Sequence, residues 1–134
     1  MKYMLDTNTC IFLLKQEKNV MAAFLANRKE GIGISTIVLA ELEFGASNSA
    51  NYEKNKARLV FFISLVELLP FDASAAPVYG EIRTDLKRKG TPIGFLDMLI
   101  AAHAKSKGLV IVTNNIREFG RVEGLEVEDW TAAG

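Results

Sequence analysis

Short apolar runs alternate with longer stretches of helical periodicity along the whole chain. Lys2 to Leu5 predicts a strand that ends at Asp6, and Thr7 or Asn8 then caps a helix through Ile11, Leu13 and Leu14. Asn19 caps a second helix through Val20, Ala23 and Phe24, which stops near Gly31, and Ile32 to Ile34 makes a second strand. Ser35 or Thr36 caps a helix from Ile37 to Phe44, closed by Gly45. A helix through Arg58 and Phe62 leads to a strand near Val66 to Leu69, and a longer helix runs from Asp72 to Lys89 with Gly90 as its stop. After a loop from Gly90 to Gly94 come a helix over Phe95 to Lys107, a strand over Leu109 to Thr113 and a last strand near Val127.

This alternation predicts an α/β domain with a mainly parallel central sheet. Such sheets bind ligands beyond the carboxyl ends of their strands. Asp6 and the segment after Thr113 both fall at such ends. With no repeat, linker or low-complexity segment, the 134 residues read as one domain over 1–134.

Composition narrows the chemistry. Sixteen basic and sixteen acidic residues cancel, so any nucleic-acid binding must rest on segregated charge rather than net charge. One cysteine excludes an intramolecular disulfide, and Cys10 reads as a small buried hydrophobe. A single His beside a single Cys rules out a zinc site of nitrogen and sulfur ligands. The N-terminus lacks a signal-peptide pattern, and no apolar run reaches the ~20 residues that span a bilayer. A cytoplasmic protein without a membrane partner is the expectation. The apolar content of 49% is high for a small monomer. It predicts a homodimer, with Val60 to Ile63 buried between subunits or against another partner.

Three carboxylates stand in apolar settings. Asp6 follows Tyr3-Met4-Leu5 at a strand end, Glu41 shares a helical stripe with Ile37, Ala40 and Phe44, and Asp97 shares one with Ile100, Ala101 and Ala104. Each has an innocent reading as a helix cap, a dipole partner or half of an ion pair. Together they point to a shared metal site, because burying unpartnered charge is costly. Ligands that are all oxygen suit Mg²⁺, with Mn²⁺ as the alternative. Such ions neutralise a phosphate and acidify a bound water, which is phosphoryl chemistry.

Four motifs in order then carry a resemblance. Met4-Leu5-Asp6-Thr7-Asn8, Ile34-Ser35 with Glu41-Leu42, the segment Pro92 to Ala101 around Asp97, and Val112 to Phe119 are similar to the PIN-domain ribonucleases. Within them, the chain resembles the VapC toxins of bacterial type II toxin–antitoxin modules, of the enterobacterial kind, and Gly124 to Trp130 extends the likeness. The resemblance implies an α/β/α sandwich and Mg²⁺-dependent cleavage of RNA. tRNA is the first expectation, with the initiator tRNA anticodon stem-loop as the candidate target. It also implies a VapB antitoxin that blocks the site and contacts operator DNA on the toxin's behalf. By position it assigns Asp6, Glu41 and Asp97 to metal binding and catalysis, and Asn8 and Thr113 to orienting the site. Many relatives carry Asp where this chain has Asn115, so Glu118 is expected to supply the missing charge while Asn115 orients the other ligands.

Arg83, Lys87, Arg88 and Lys89 end the helix before the Asp97 segment, either as a solvated helix end or as RNA phosphate contacts. Lys105, Lys107, Arg117 and Arg121 read as structural, His103 as a core or surface residue, and Trp130 as packing. Two other functions compete. A phosphotransfer receiver needs an acidic pair after its first strand and a lysine after its last, and neither Asp6-Thr7-Asn8 nor Thr113-Asn114-Asn115 supplies them. A PIN module with an impaired site, acting in regulation or interaction, is kept open by Asn115.

Overall fold

The computed structural model describes residues 1–132. Five strands, β1 (Tyr3–Leu5), β2 (Ile32–Ser35), β3 (Glu67–Leu69), β4 (Val110–Val112) and β5 (Val127–Glu128), form one sheet in the order β3-β2-β1-β4-β5. Every pairing is parallel. The first strand is therefore central, and the chain builds outward to β3 before returning to the other side of β1. That return makes the β1–β4 boundary a topological switch point, where a crevice opens beyond the strand ends. A receiver of the 2-1-3-4-5 order is excluded by this topology.

Strands covered on both faces need apolar residues throughout, and β1 and β4 are buried at every position. Their register pairs Leu5 with Val112, so the next residues, Asp6 and Thr113, leave the sheet side by side. Helices flank the sheet: α1 (Thr7–Leu14), α2 (Lys18–Asn27), α3 (Thr36–Ser47) and α4 (Tyr52–Ile63) pack among themselves, while α5 (Ala75–Lys89) packs on α6 (Phe95–Ser106). A short α7 (Ile116–Phe119) follows β4. The core gathers Met4, Leu5, Ile34, Val38, Leu59, Leu86, Ile100 and Ile111, and Cys10 is buried with them as expected. Trp130 is a packing residue, edge-on to Tyr3, with its indole N–H donated to Glu128 Oε1 at 2.9 Å. No helix among the described residues is long and apolar enough to cross a membrane.

Several boundaries differ from the sequence reading, most because a side chain reaches the helix end from an unexpected place and one because of packing. Asp6, not Thr7 or Asn8, caps α1 by accepting the Thr9 N–H. Glu17, not Asn19, caps α2 through the Asn19 and Val20 amides, the longer carboxylate reaching where a shorter cap was expected. Gly45 does not close α3, which continues to Ser47 and buries Ala46; a helical glycine costs only about 1 kcal/mol, which that packing offsets. Asp72 precedes α5 rather than starting it, holding a turn through the Ser74 amide and hydroxyl. Gly90 does stop α5 as predicted, in the left-handed region at φ +69°. The apolar run Val60 to Ile63 is split: Phe62 and Ile63 pack with the core, and only Val60 and Phe61 are exposed.

Candidate active site

Asp6 sits at the switch point and is buried, 3% exposed. A buried carboxylate needs hydrogen-bond donors. The Thr9 amide supplies one at 2.8 Å, and Thr9 itself is fixed by donating its hydroxyl to the Val112 carbonyl at 3.0 Å. Burial still raises the Asp6 pKa above the ordinary carboxylate value, against the lowering effect of the Thr113 hydroxyl and of Thr9. Asp129, just beyond β5, adds a weaker repulsion.

Asp97 lies in the first turn of α6, and its stripe partners Ile100, Ala101 and Ala104 are fully buried, as the periodicity predicts. An anion there is favoured by the helix dipole, yet its pKa is pushed up to about 6. Burial is the main cause, followed by the charges of Asp6, Glu118 and Glu41. Thus the other three predicted acids lie within electrostatic reach of the Asp97 carboxyl group. The four come from four segments: the end of β1, α3, the start of α6 and α7.

Glu41 needs a correction. Its companions Ala40 and Phe44 are exposed, and α3 turns Val38, Leu42 and Ala46 to the core instead. Of the predicted stripe only Ile37 packs on the core, so apolar identity at Ala40 and Phe44 misreported which face is buried. Glu41 is half-buried at the cleft wall and accepts the Thr7 hydroxyl at 2.8 Å. Thr7 and Thr9 are the site-forming residues that the sequence reading missed; their only signal was two hydroxyls directly after the strand-end acid.

Asn115 caps α7: its Oδ1 accepts the Glu118 amide at 3.4 Å, while its own amide is donated to the Thr113 hydroxyl oxygen at 2.9 Å. Thr113, fully buried, thereby connects Asp6 to the α7 start. Asn8 is exposed on the first turn of α1, two residues after Asp6, and makes no side-chain hydrogen bond among the described residues. His103 is a core residue, with Nδ1 2.8 Å from the Ser35 hydroxyl that also caps α3, and burial holds its pKa down. Lys105, Lys107 and Arg121 are structural, bonded to the Glu123 carbonyl, Asp72 and the Pro92 carbonyl.

As the side chains stand, no three acids among the described residues are grouped so as to hold a metal ion. The donor set nonetheless fits a hard divalent cation: it is all oxygen, and the charges of Asp6, Glu118 and Glu41 add to burial in raising the proton affinity of Asp97.

An apolar groove of about 200 Å³ runs between α1, α2 and α4, lined by Leu13, Met21, Leu25 and Phe61 and flanked by Arg28 and Arg58. Leu14 and Arg58 are shared with a neighbouring cleft that reaches Glu41.

The PIN domain family matches residues 3–125. The chain is 49% identical to the tRNA(fMet)-specific endonuclease VapC of Salmonella typhimurium, over 97% of this chain and 98% of that one. The Shigella flexneri protein of the same name is 47% identical over 98% of this chain and 99% of its own length. Among solved structures, VapBC2 of Rickettsia felis bound to a DNA fragment from their promoter superposes with a TM-score of 0.93 at 42% identity, over 97% of this chain and 99% of that one. DNA-bound VapBC of Salmonella typhimurium gives 0.92 at 49%, over 97% and 98%. This chain belongs to the PIN-domain family of nucleases.

Proposed function

We propose that this chain, over its whole length 1–134, is the toxin of a type II toxin–antitoxin pair. It is an endoribonuclease that cuts initiator tRNA in the anticodon stem-loop. One observation supports the catalytic part: the charges of Asp6, Glu118 and Glu41, from three other segments, all act on the Asp97 carboxyl, with Asp6 at the carboxyl end of β1 beside β4. The substrate class rests on similarity to the tRNA(fMet)-specific VapC proteins. A stem-loop offers unstacked bases and an accessible backbone, which a cleft of this kind requires.

PIN nucleases depend on a divalent metal, and Mg²⁺ is our choice, with Mn²⁺ as the alternative. Asp6, Asp97 and Glu41 hold the ion, and Glu118 contributes from α7. When bound, the ion supplies neutralisation of phosphate charge and acidification of water. The remaining work belongs to the chain. Thr9 and Thr113 work against the effect of burial on the Asp6 pKa and aim its carboxylate, Thr7 holds Glu41 at the cleft wall, and Asn115 caps the helix that carries Glu118. No side chain here is an activated covalent nucleophile, so water attacks the phosphodiester directly.

The partner is a VapB antitoxin whose apolar segment lies in the groove beside Phe61 and Leu25 and whose tail extends past Arg58 toward Glu41. Operator DNA is reached only through that antitoxin. The toxin itself pairs as a homodimer in the cytoplasm. The decisive experiment is brief expression of the chain without antitoxin, with sequencing of RNA ends. A single cut in the initiator tRNA anticodon loop is expected, whereas cuts spread over mRNA with intact tRNA reject the substrate.

A further inference from the structure

A polyanionic substrate that approaches Asp97 and the acids acting on it needs cations placed at the rim, and a chain of zero net charge has few to spare. Along the α5–α6 side most are committed. Lys89 is shared by Asp85 and Glu123, while Lys107 and Arg121 hold Asp72 and the Pro92 carbonyl. Lys87 and Arg88 are exposed at the helix end and, among the described residues, nothing orients them.

Arg83 differs. Its guanidinium lies 4.7 Å over the ring of Phe95, and its Nη1 donates to the Tyr79 hydroxyl at 3.2 Å. Among the described residues it makes no salt bridge to a carboxylate. Phe95 is 61% exposed and opens α6, the helix that carries Asp97. The residue before it, Gly94, is so near the site that a Cβ there would stand 3.8 Å from Asp97 Oδ2. The pair is not needed to dock α5 on α6, since that contact already buries Ile82, Leu86 and Met98. An exposed cation–π contact adds only about 0.5–1 kcal/mol.

Resting on the nuclease reading, we propose that Arg83, stacked on Phe95 and steadied by Tyr79, is a positioning residue. It grips a backbone phosphate of the single-stranded RNA beside the scissile bond. With Nη1 held by Tyr79, the stacked guanidinium keeps its remaining N–H groups free and pre-aimed, and such a planar fork matches two phosphate oxygens at once. Its charge offsets the repulsion between the substrate backbone and the acids without entering their cluster.

The test uses a fluorescent initiator tRNA anticodon stem-loop and the full chain carrying Asp97→Asn to stop cleavage, with anisotropy read over a salt series. Adding Arg83→Gln should weaken Kd about tenfold and lower the slope of log affinity against log salt by about 0.7, the share of one phosphate on a single strand. Arg83→Lys should restore the slope but only part of the affinity, because charge returns without the fork. In the cleaving chain, Arg83→Gln should raise KM and leave kcat within about twofold, the signature of lost uniform binding. Unchanged affinity and slope in Arg83→Gln overturn the proposal. A changed mass by light scattering that alone accounts for the loss also overturns it, assigning the pair to a subunit contact. Retained cleavage by Asp97→Asn strikes the carboxylate site alone, and the binding series still decides the role of Arg83. No RNA binding with Arg83 intact overturns both.

Discussion

Thr7 donates its hydroxyl to the Glu41 carboxylate at 2.8 Å, joining the residue after Asp6 to a helix 34 positions away. The bond fixes a half-buried acid that could otherwise turn into solvent. Partners that orient metal ligands are worth about 10–100-fold in metal affinity or activity. Thr7→Val should therefore raise the Mg²⁺ concentration for half-maximal cleavage by about tenfold, with the melting temperature nearly unchanged. A Mg²⁺ titration of cleavage rate checks it, and an unshifted curve would leave Glu41 outside the metal set.

Asp97→Asn or Asp6→Asn should abolish RNA cleavage and growth inhibition with the fold intact, since the amide fits the cavity but cannot hold the ion. Circular dichroism confirms folding in the same samples. Retained cleavage by a folded Asp97→Asn chain would sink the four-acid site.

The pH dependence follows from the same group. Asp97 titrates at about 6 in the folded chain against an ordinary 3.8, so the folded state binds more protons between those values. Stability should fall as pH rises from about 4 to 6, and Asp6, also raised, works in the same direction. Metal-free protein should thus melt lower at neutral pH than at moderately acidic pH. Asp97→Asn should flatten the difference, and Mg²⁺ should stabilise most at neutral pH, where the acids are ionised. Thermal melts with and without Mg²⁺ read all three, and a pH-independent melting temperature would contradict the coupling.

Glu118→Gln should reduce cleavage partly, with recovery at high Mg²⁺, because Glu118 joins the acids from α7 without being buried among them. A rate–Mg²⁺ curve identical to the native one would show that the site runs on three acids.

Phe61, 67% exposed, should be needed for antitoxin capture and not for cleavage. Phe61→Ser should weaken antitoxin binding by at least ~2 kcal/mol, the threshold for an anchor residue at an interface. It should leave tRNA cutting and the dimer mass unchanged. Calorimetry with the antitoxin and light scattering separate the outcomes, and a shift to monomer would assign this face to the subunit contact.

How much was legible follows from which interactions are local. Strand and helix identities were readable because burial on both faces forces apolar runs such as Tyr3 to Leu5, and amphipathic packing forces the stripe Asp97, Ile100, Ala101 and Ala104. The acids themselves were visible because charge is conspicuous in such runs. Glu41 shows the limit: Ala40 and Phe44 are apolar yet exposed, and only the docking of α3 through Val38 and Leu42 decides which stripe faces inward. Caps drifted for the same reason, since Asp6 and Glu17 compete with Thr7, Asn8 and Asn19 for the same amides, and the winner depends on where the preceding strand or loop aims the backbone.

The sequence by itself determined that strands and helices alternate around a parallel sheet, that Asp6 follows the first strand, and that the candidate site residues offer oxygen donors alone. Tertiary structure alone decided that β4 lies beside β1, which brings Thr113 and α7 to Asp6, and that Thr7 meets Glu41. It also decided that Arg83 stacks on Phe95. Those relations join residues far apart in the chain, whose proximity is fixed by strand order and helix docking, and periodicity reports only which face of an element is apolar, not what that face meets.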